Sequence, residues 1–337
     1  MSISRRTVIQ GLAALGTIPV LGSMSRGVAA QEQPATVRLD YAYYNPSSLA
    51  LRRFAWLEEA LQEQGIGVEW VLSAGSNKAN EYLRSEAVDF GSTAGAAALL
   101  ARANGSPIKT VYIYSKPEWT ALVVPANSPI TSVAELKGKK VAATKGTDPY
   151  FFLLRSLNEA GLSGADVEVI NLQHADGRTA LERGEVDAWA GLDPHMAASE
   201  LEAGSKLLYR NIDFNTYGFL NANEEFVTQY PDLTATVLEA YERARVWILE
   251  NPDDAAQILA EEAKISTEVA ERELFERTVL DIDPVPGETH AEVLRAVVPI
   301  MVAENQVKPG TDVEAVLGEL LAPETAASVV AAEEPAA

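Results

Sequence analysis

Glu69-Trp-Val-Leu-Ser-Ala-Gly-Ser76 and Lys140-Val-Ala-Ala-Thr-Lys-Gly-Thr147 are two versions of one plan. Each reads as a strand that ends in Gly-Ser or Gly-Thr and runs directly into a helix, over residues 77–83 in the first case and 148–157 in the second. The echo continues downstream, in Ser85-Glu-Ala-Val-Asp-Phe-Gly-Ser-Thr93 and in Arg183-Gly-Glu-Val-Asp-Ala-Trp189. A helix start carries backbone N–H groups without intrahelical partners and the positive end of the macrodipole, so it accepts an anion readily. Two lobes that each offer such starts predict a clamp around a small anion.

Working outward, residues 37–43 alternate like a strand, Asn45-Pro46 caps a helix running to about residue 64, Gly65-Ile-Gly67 stops it, and residues 68–72 form the next strand. Strand, helix and strand at these lengths make a parallel βαβ unit. A further helix opens at residues 94–102 and a strand follows at 108–114. Residues 120–124 are the strand that leaves the first lobe, and 207–209 with 217–221 bring the chain back. The hinge is placed at residues 118–121 and 217–222. Beyond Phe226 the pattern is helical, over 233–251, 253–264, 267–279, 289–305 and 311–321. The expected division is a first lobe of 36–119 plus 221–321, a second of 120–220, and a disordered alanine-rich acidic tail at 322–337.

Residues 1–30 read as a targeting segment. Ser4-Arg5-Arg6-Thr7-Val8-Ile9 is a twin-arginine pattern, an apolar run covers 11–22, and Val28-Ala29-Ala30 predicts cleavage before Gln31. Export to the periplasm follows as the expectation. The 337 residues contain no cysteine, which excludes thiol catalysis, disulfides and thiolate metal sites. The formal charge is −21, and −24 without the three arginines of the first 30 residues, which argues against nucleic acid as a partner. That field repels an anionic ligand at long range, but salt screens it beyond roughly 8–10 Å. The site has to win locally.

The runs Tyr43-Tyr-Asn-Pro-Ser-Ser-Leu-Ala-Leu51, Ala74-Gly-Ser-Asn-Lys78, Asp89-Phe-Gly-Ser-Thr-Ala-Gly-Ala96, Glu135-Leu-Lys-Gly-Lys-Lys-Val-Ala142, Lys145-Gly-Thr-Asp148 and Asp187-Ala-Trp189 resemble the aliphatic-sulfonate-binding periplasmic proteins of ABC importers, over about residues 37–320. The resemblance implies an α/β, two-lobed periplasmic binding protein fold of type II with two crossing hinge strands. It also implies a small organic anion, an alkyl sulfonate, as ligand and an inner-membrane ABC permease as partner, with the receptor a monomer. Carried over by position, the sulfonate contacts are Asn45 and Ser47, Ser76 and Asn77, Thr93 with Ala94 and Gly95, and Gly146 with Thr147. On this basis Thr93→Val or Thr147→Val is expected to weaken binding without unfolding the protein.

Trp119, Trp189 and Tyr217 are candidates for an apolar wall around an organic tail, although each also fits as core. Glu118, Asp148 and Asp193 are candidates to face an ammonium group such as that of taurine, which keeps taurine open beside the alkyl sulfonates. Arg178 is a candidate second grip on the anion. The three histidines, His174, His195 and His290, show no metal-ligand spacing, and no nucleophile, phosphate-loop or dinucleotide motif appears. Neither catalytic machinery, metal nor cofactor is expected. An enzyme on the same scaffold and a ligand sensor remain the alternatives.

Overall fold

The structure, a computed structural model, describes residues 33–333, so the twin-arginine segment and its cleavage site lie outside the described residues. In the first lobe β1 (Thr36–Tyr41) leads to α1 (Pro46–Phe54), α2 (Trp56–Leu61), β2 (Gly67–Leu72), α3 (Ser76–Arg84), β3 (Phe90–Ala94), α4 (Gly95–Ala103) and β4 (Ile108–Pro117). The chain crosses through residues 118–121 to the second lobe. There β5 (Leu122–Val124), β6 (Lys140–Ala143), α5 (Asp148–Glu159), β7 (Glu168–Asn171), α6 (His174–Glu182), β8 (Ala188–Ala190), α7 (His195–Ala203) and β9 (Lys206–Tyr209) follow. Residues 210–217 return it to β10 (Gly218–Asn223) in the first sheet. The remainder is α8 (Glu224–Gln229), α9 (Pro231–Glu250), α10 (Pro252–Ala263), α11 (Thr267–Glu271), β11 (Thr278–Val279), α12 (Glu288–Arg295), α13 (Val298–Ala303), α14 (Val313–Leu320) and α15 (Glu324–Glu333).

The first sheet has the order β11-β4-β10-β3-β1-β2 and the second β7-β6-β8-β5-β9. Strand β1 pairs in parallel with β2 and β3, and β6 in parallel with β7 and β8, as βαβ units require. The returning strand β10 inserts antiparallel between β3 and β4. Gly218 permits that insertion, because a Cβ there would lie 2.3 Å from the Tyr114 ring. Residues 218–222 are thus held by strands on both sides, and the return crossing is 210–217 instead of the 217–222 expected from sequence.

One core, including Leu39, Tyr112, Leu220 and Tyr241, lies beneath α1 and α9. A second joins Leu83, Leu99 and Phe219 of the first lobe to Phe151, Phe152 and Leu157 of α5 in the second. This shared core packs α5 of the second lobe against α4 and α13, and each fully buried apolar side chain in it contributes about 1.5–3 kcal/mol.

Several expected helices end sooner than their apolar spacing suggests. The 46–64 helix breaks at Ala55, which is left-handed at φ 54°. Pro299 splits 289–305 into α12 and α13, since proline lacks the N–H an uninterrupted helix needs. Residues 272–276 widen into a π turn after α11, and β11 then adds to the edge of β4. The tail expected to be disordered is helical through Glu333. Alanine favours helix, and Ala326 and Val329, three residues apart, bury one face against α9. Residues 334–337 lie outside the described residues.

Candidate functional site

The strand ends of both sheets lead into the helix starts of α3 and α4 in the first lobe and α5 and α6 in the second, on the side where ligands of open α/β folds bind. Their local sequences promise equivalent anion cradles, but the chain spends them differently. At α4 the first three amides are taken: Ala94 N–H donates to Ser76 Oγ at 2.9 Å, Gly95 N–H to the Tyr217 carbonyl at 2.9 Å, and Ala96 N–H to Thr216 Oγ1 at 3.2 Å. Thr93 Oγ1 accepts from Asn221 Nδ2 at 2.7 Å and keeps its own hydroxyl proton. The amides of Ala94 and Gly95 are therefore spent on internal hydrogen bonds to Ser76 and the returning crossing segment, while β10 anchors the Thr93 hydroxyl oxygen.

Helices α3, α5 and α6 differ. The backbone N–H groups of Ser76 and Asn77, of Thr147 and Asp148, and of His174 and Ala175 find no acceptor among the described residues. These starts face one another across the lobes. A Cβ on Gly75 would sit 2.8 Å from His174 Nε2 and 2.9 Å from Asn77 Oδ1, and one on Gly146 would sit 3.9 Å from Asn77 Cβ. Gly75 is glycine because the opposite lobe leaves no room for a side chain. Both Asn77 Oδ1 and His174 Nε2 are buried without a partner, as are Ser47 Oγ and Gln173 Oε1. Unmet polar atoms this deep are costly unless something fills them.

Asn45 is placed as a support. Its Oδ1 caps α1 at Ser48 N and its Nδ2 donates to Ser92 Oγ at 2.8 Å, while Ser92 is held in turn by buried Asp40. Burial pushes Asp40 up to about 6, with the Ser92 hydrogen bonds pulling the other way. Thr147 donates its hydroxyl to the Thr144 carbonyl at 2.6 Å, leaving its N–H as the free group.

The candidate carboxylates are all engaged. Asp148 accepts from Trp119 Nε1 at 3.1 Å and from Thr216 N at 2.7 Å and Oγ1 at 2.8 Å, so one side chain ties the first turn of α5 to both crossing segments. Burial raises it to about 6 against those bonds. Glu118 forms a two-point pair with Arg210 at 2.8 and 2.7 Å. Asp193 meets Arg277 at 3.1 Å inside a buried cluster that Glu200 completes, joining α7 of the second lobe to the segment before β11 of the first. Glu273 lies against this cluster, its carboxyl pushed far above the ordinary range by burial and then by Asp193.

Trp119 belongs to the first core, edge-on to Tyr44 with ring centroids 6.0 Å apart. Trp189 fills a small core of the second lobe with Val123, Leu181 and Met196, against Gly177. Tyr217, half-buried, packs on His290 at 4.6 Å. The apolar-wall expectation thus gives way to core packing for both tryptophans. Arg178 spends its guanidinium on Glu182 and Glu202. Sequence reading passed over Thr216 and His174; the first had no local signal, and the second was weighed only as a metal ligand.

Two sheets linked by two crossings, with facing helix starts between them, define a two-lobed solute-binding architecture. The chain belongs to the NMT1/THI5-like family, whose model matches residues 61–255. It is 30% identical to a protein of Escherichia coli (strain K12) named as an aliphatic sulfonates-binding protein, over 285 residues that cover 84% of this chain and 89% of that one. The crystal structure of the periplasmic aliphatic sulphonate binding protein SsuA from Escherichia coli superposes with a TM-score of 0.72 at 26% identity, covering 86% of this chain and 93% of that one. The desulfurization enzyme DSZB shares the fold alone, at 15% identity and a TM-score of 0.66, over 89% of this chain and 100% of that one.

Proposed function

We propose that the protein is an extracytoplasmic solute receptor that closes its lobes on a small organic sulfonate and presents it to an ABC permease. The observation that carries this reading is the set of unspent helix starts of α3, α5 and α6 facing one another across the cleft. A sulfonate stays ionised at any physiological pH and only accepts hydrogen bonds, so amides and hydroxyls suit it and no base is required. The name of the Escherichia coli relative points to the same chemistry. In this assignment the amides of Ser76, Asn77, Thr147 and Asp148 and the hydroxyl of Ser47 hold the oxyanion, while Thr93, Ala94 and Gly95 form the scaffold behind it.

Four to six charge-assisted hydrogen bonds of about 1.5–3 kcal/mol each support micromolar affinity, near about −8 kcal/mol, after ordering costs. Contacts to both lobes favour the closed arrangement, which the permease reads. Delivery by the twin-arginine route, with a mature monomer beginning at Gln31, belongs to the same reading. Calorimetric titration of residues 31–337 with ethanesulfonate, octanesulfonate, taurine, nitrate and bicarbonate at two salt concentrations tests it. Micromolar binding of the sulfonates is expected, and silence across the panel removes the sulfonate assignment. N-terminal sequencing of exported protein tests the cleavage site.

A further inference from the structure

The ring of His174 has a fixed hydrogen-bonding polarity. Thr144 has one hydroxyl proton, and the shorter contact, 2.7 Å to the Leu172 carbonyl, takes it. Its oxygen can then only accept from the imidazole at 3.2 Å, which puts the ring hydrogen on Nδ1 and leaves Nε2 as a bare acceptor. Burial, reinforced by His195 on α7, the titratable group that bears on it, lowers His174 to about 3 and keeps the ring neutral. Nε2 faces Gly75 at the start of α3, where the positive helix end favours a lone pair over an N–H. It is buried and has no partner among the described residues. Beside it lies Asn77, whose amide can turn to offer either oxygen or nitrogen.

An acceptor and an amide together match a group that both donates and accepts. A hydroxyl does so without charge. An ammonium brings a positive charge toward the positive ends of α3 and α6, and the carboxylates that would balance it, Glu118, Asp148 and Asp193, are already paired. Resting on the receptor reading above, we infer that His174 and Asn77 form a hydroxyl-reading subsite and that the ligand is a hydroxyalkanesulfonate, with its O–H donating to His174 Nε2.

Three ligands that share a two-carbon chain decide this: 2-hydroxyethanesulfonate, ethanesulfonate and taurine, titrated into residues 31–337 between pH 6 and 8. The hydroxylated ligand is expected to bind at least about tenfold more tightly than ethanesulfonate, taurine to bind more weakly than either, and the order to hold across this pH range. In His174→Leu the hydroxyl-to-alkane ratio falls toward one, while His174→Gln, which keeps an acceptor, retains part of it. Equal affinity for the hydroxylated and plain ligands, a preference for taurine, or affinity that climbs steadily as pH falls, as a protonated His174 gripping the anion would give, overturns the subsite and leaves the receptor reading standing. Binding of none of the three overturns that reading too. If the variants do not fold, the wild-type ratios decide alone.

Discussion

Helices α4 and α3 start within the same cleft after similar small-residue strand ends, yet they have opposite fates. At α4 the amides of Ala94, Gly95 and Ala96 are satisfied by Ser76, Tyr217 and Thr216; at α3 those of Ser76 and Asn77 meet no acceptor among the described residues. Ser76 even serves both, lending its hydroxyl to α4 while its own N–H stays free. A helix start is thus a capacity for anion binding, and what the rest of the chain places against it decides whether that capacity is available.

The sharpest way to break the contrast is to fill the space in front of α3. Gly75→Ala sets a Cβ 2.8 Å from His174 Nε2, across the lobes, so sulfonate affinity is expected to fall by at least about tenfold in calorimetry, because full closure is blocked. On the α4 side Thr93→Val should act on stability first. It strips Asn221 Nδ2 of its buried acceptor, for a loss of about 1–3 kcal/mol in urea unfolding, with affinity following only as far as β3 shifts. This replaces the expectation that the hydroxyl matters for binding alone. An affinity loss with unchanged stability would return Thr93 to the ligand.

Asp148 gives a pH-dependent version of the contrast. Its folded value, about 6, lies above its ordinary value, so the folded state holds the proton more tightly, and stability from this group is greatest below pH 4 and is lost as pH rises through about 6. The penalty of Asp148→Asn is therefore expected to shrink between pH 4 and pH 6.5, measured as the difference in unfolding free energy from wild type. A penalty that grows over this interval would contradict the buried, raised carboxyl. The smallest effect belongs to Arg178→Ala. With its guanidinium committed to Glu182 and Glu202, sulfonate affinity should change less than about twofold and stability by no more than about 1 kcal/mol.

The fold was legible because its signals are local. Gly65-Ile-Gly67 ending a helix, or Gly146-Thr147 opening one, acts within a few residues, and the βαβ order follows. The site was legible only in part. The starts at Ser76 and Thr147 announce themselves, but the atoms that occupy α4 come from Thr216 and Tyr217, more than a hundred residues away, and no spacing in the chain predicts them. The carboxylates failed for the same reason: Asp148, Glu118 and Asp193 look available until Thr216, Arg210 and Arg277 arrive. His174 carries no metal-ligand spacing, and its presentation of Nε2 to the facing lobe depends on Thr144 and Gly75, which are distant in sequence. The tail at 324–333 shows the converse, since its alanine content read as disorder when it was in fact helix-forming sequence with a docking stripe.

The Asp148 carboxylate, bonded at once to Trp119 in one crossing segment and Thr216 in the other, has a mechanical consequence. A point fastened to both connectors moves little relative to either, so the first turn of α5 sits near the axis of any lobe rotation, where the lever arm is short. His174, on the neighbouring helix and touching the opposite lobe at Gly75, lies at the sweeping end of the same arm. Probe pairs spanning Thr216 and α5 should therefore report almost no change in distance when ligand is added, and pairs spanning α3 and α6 nearly all of it.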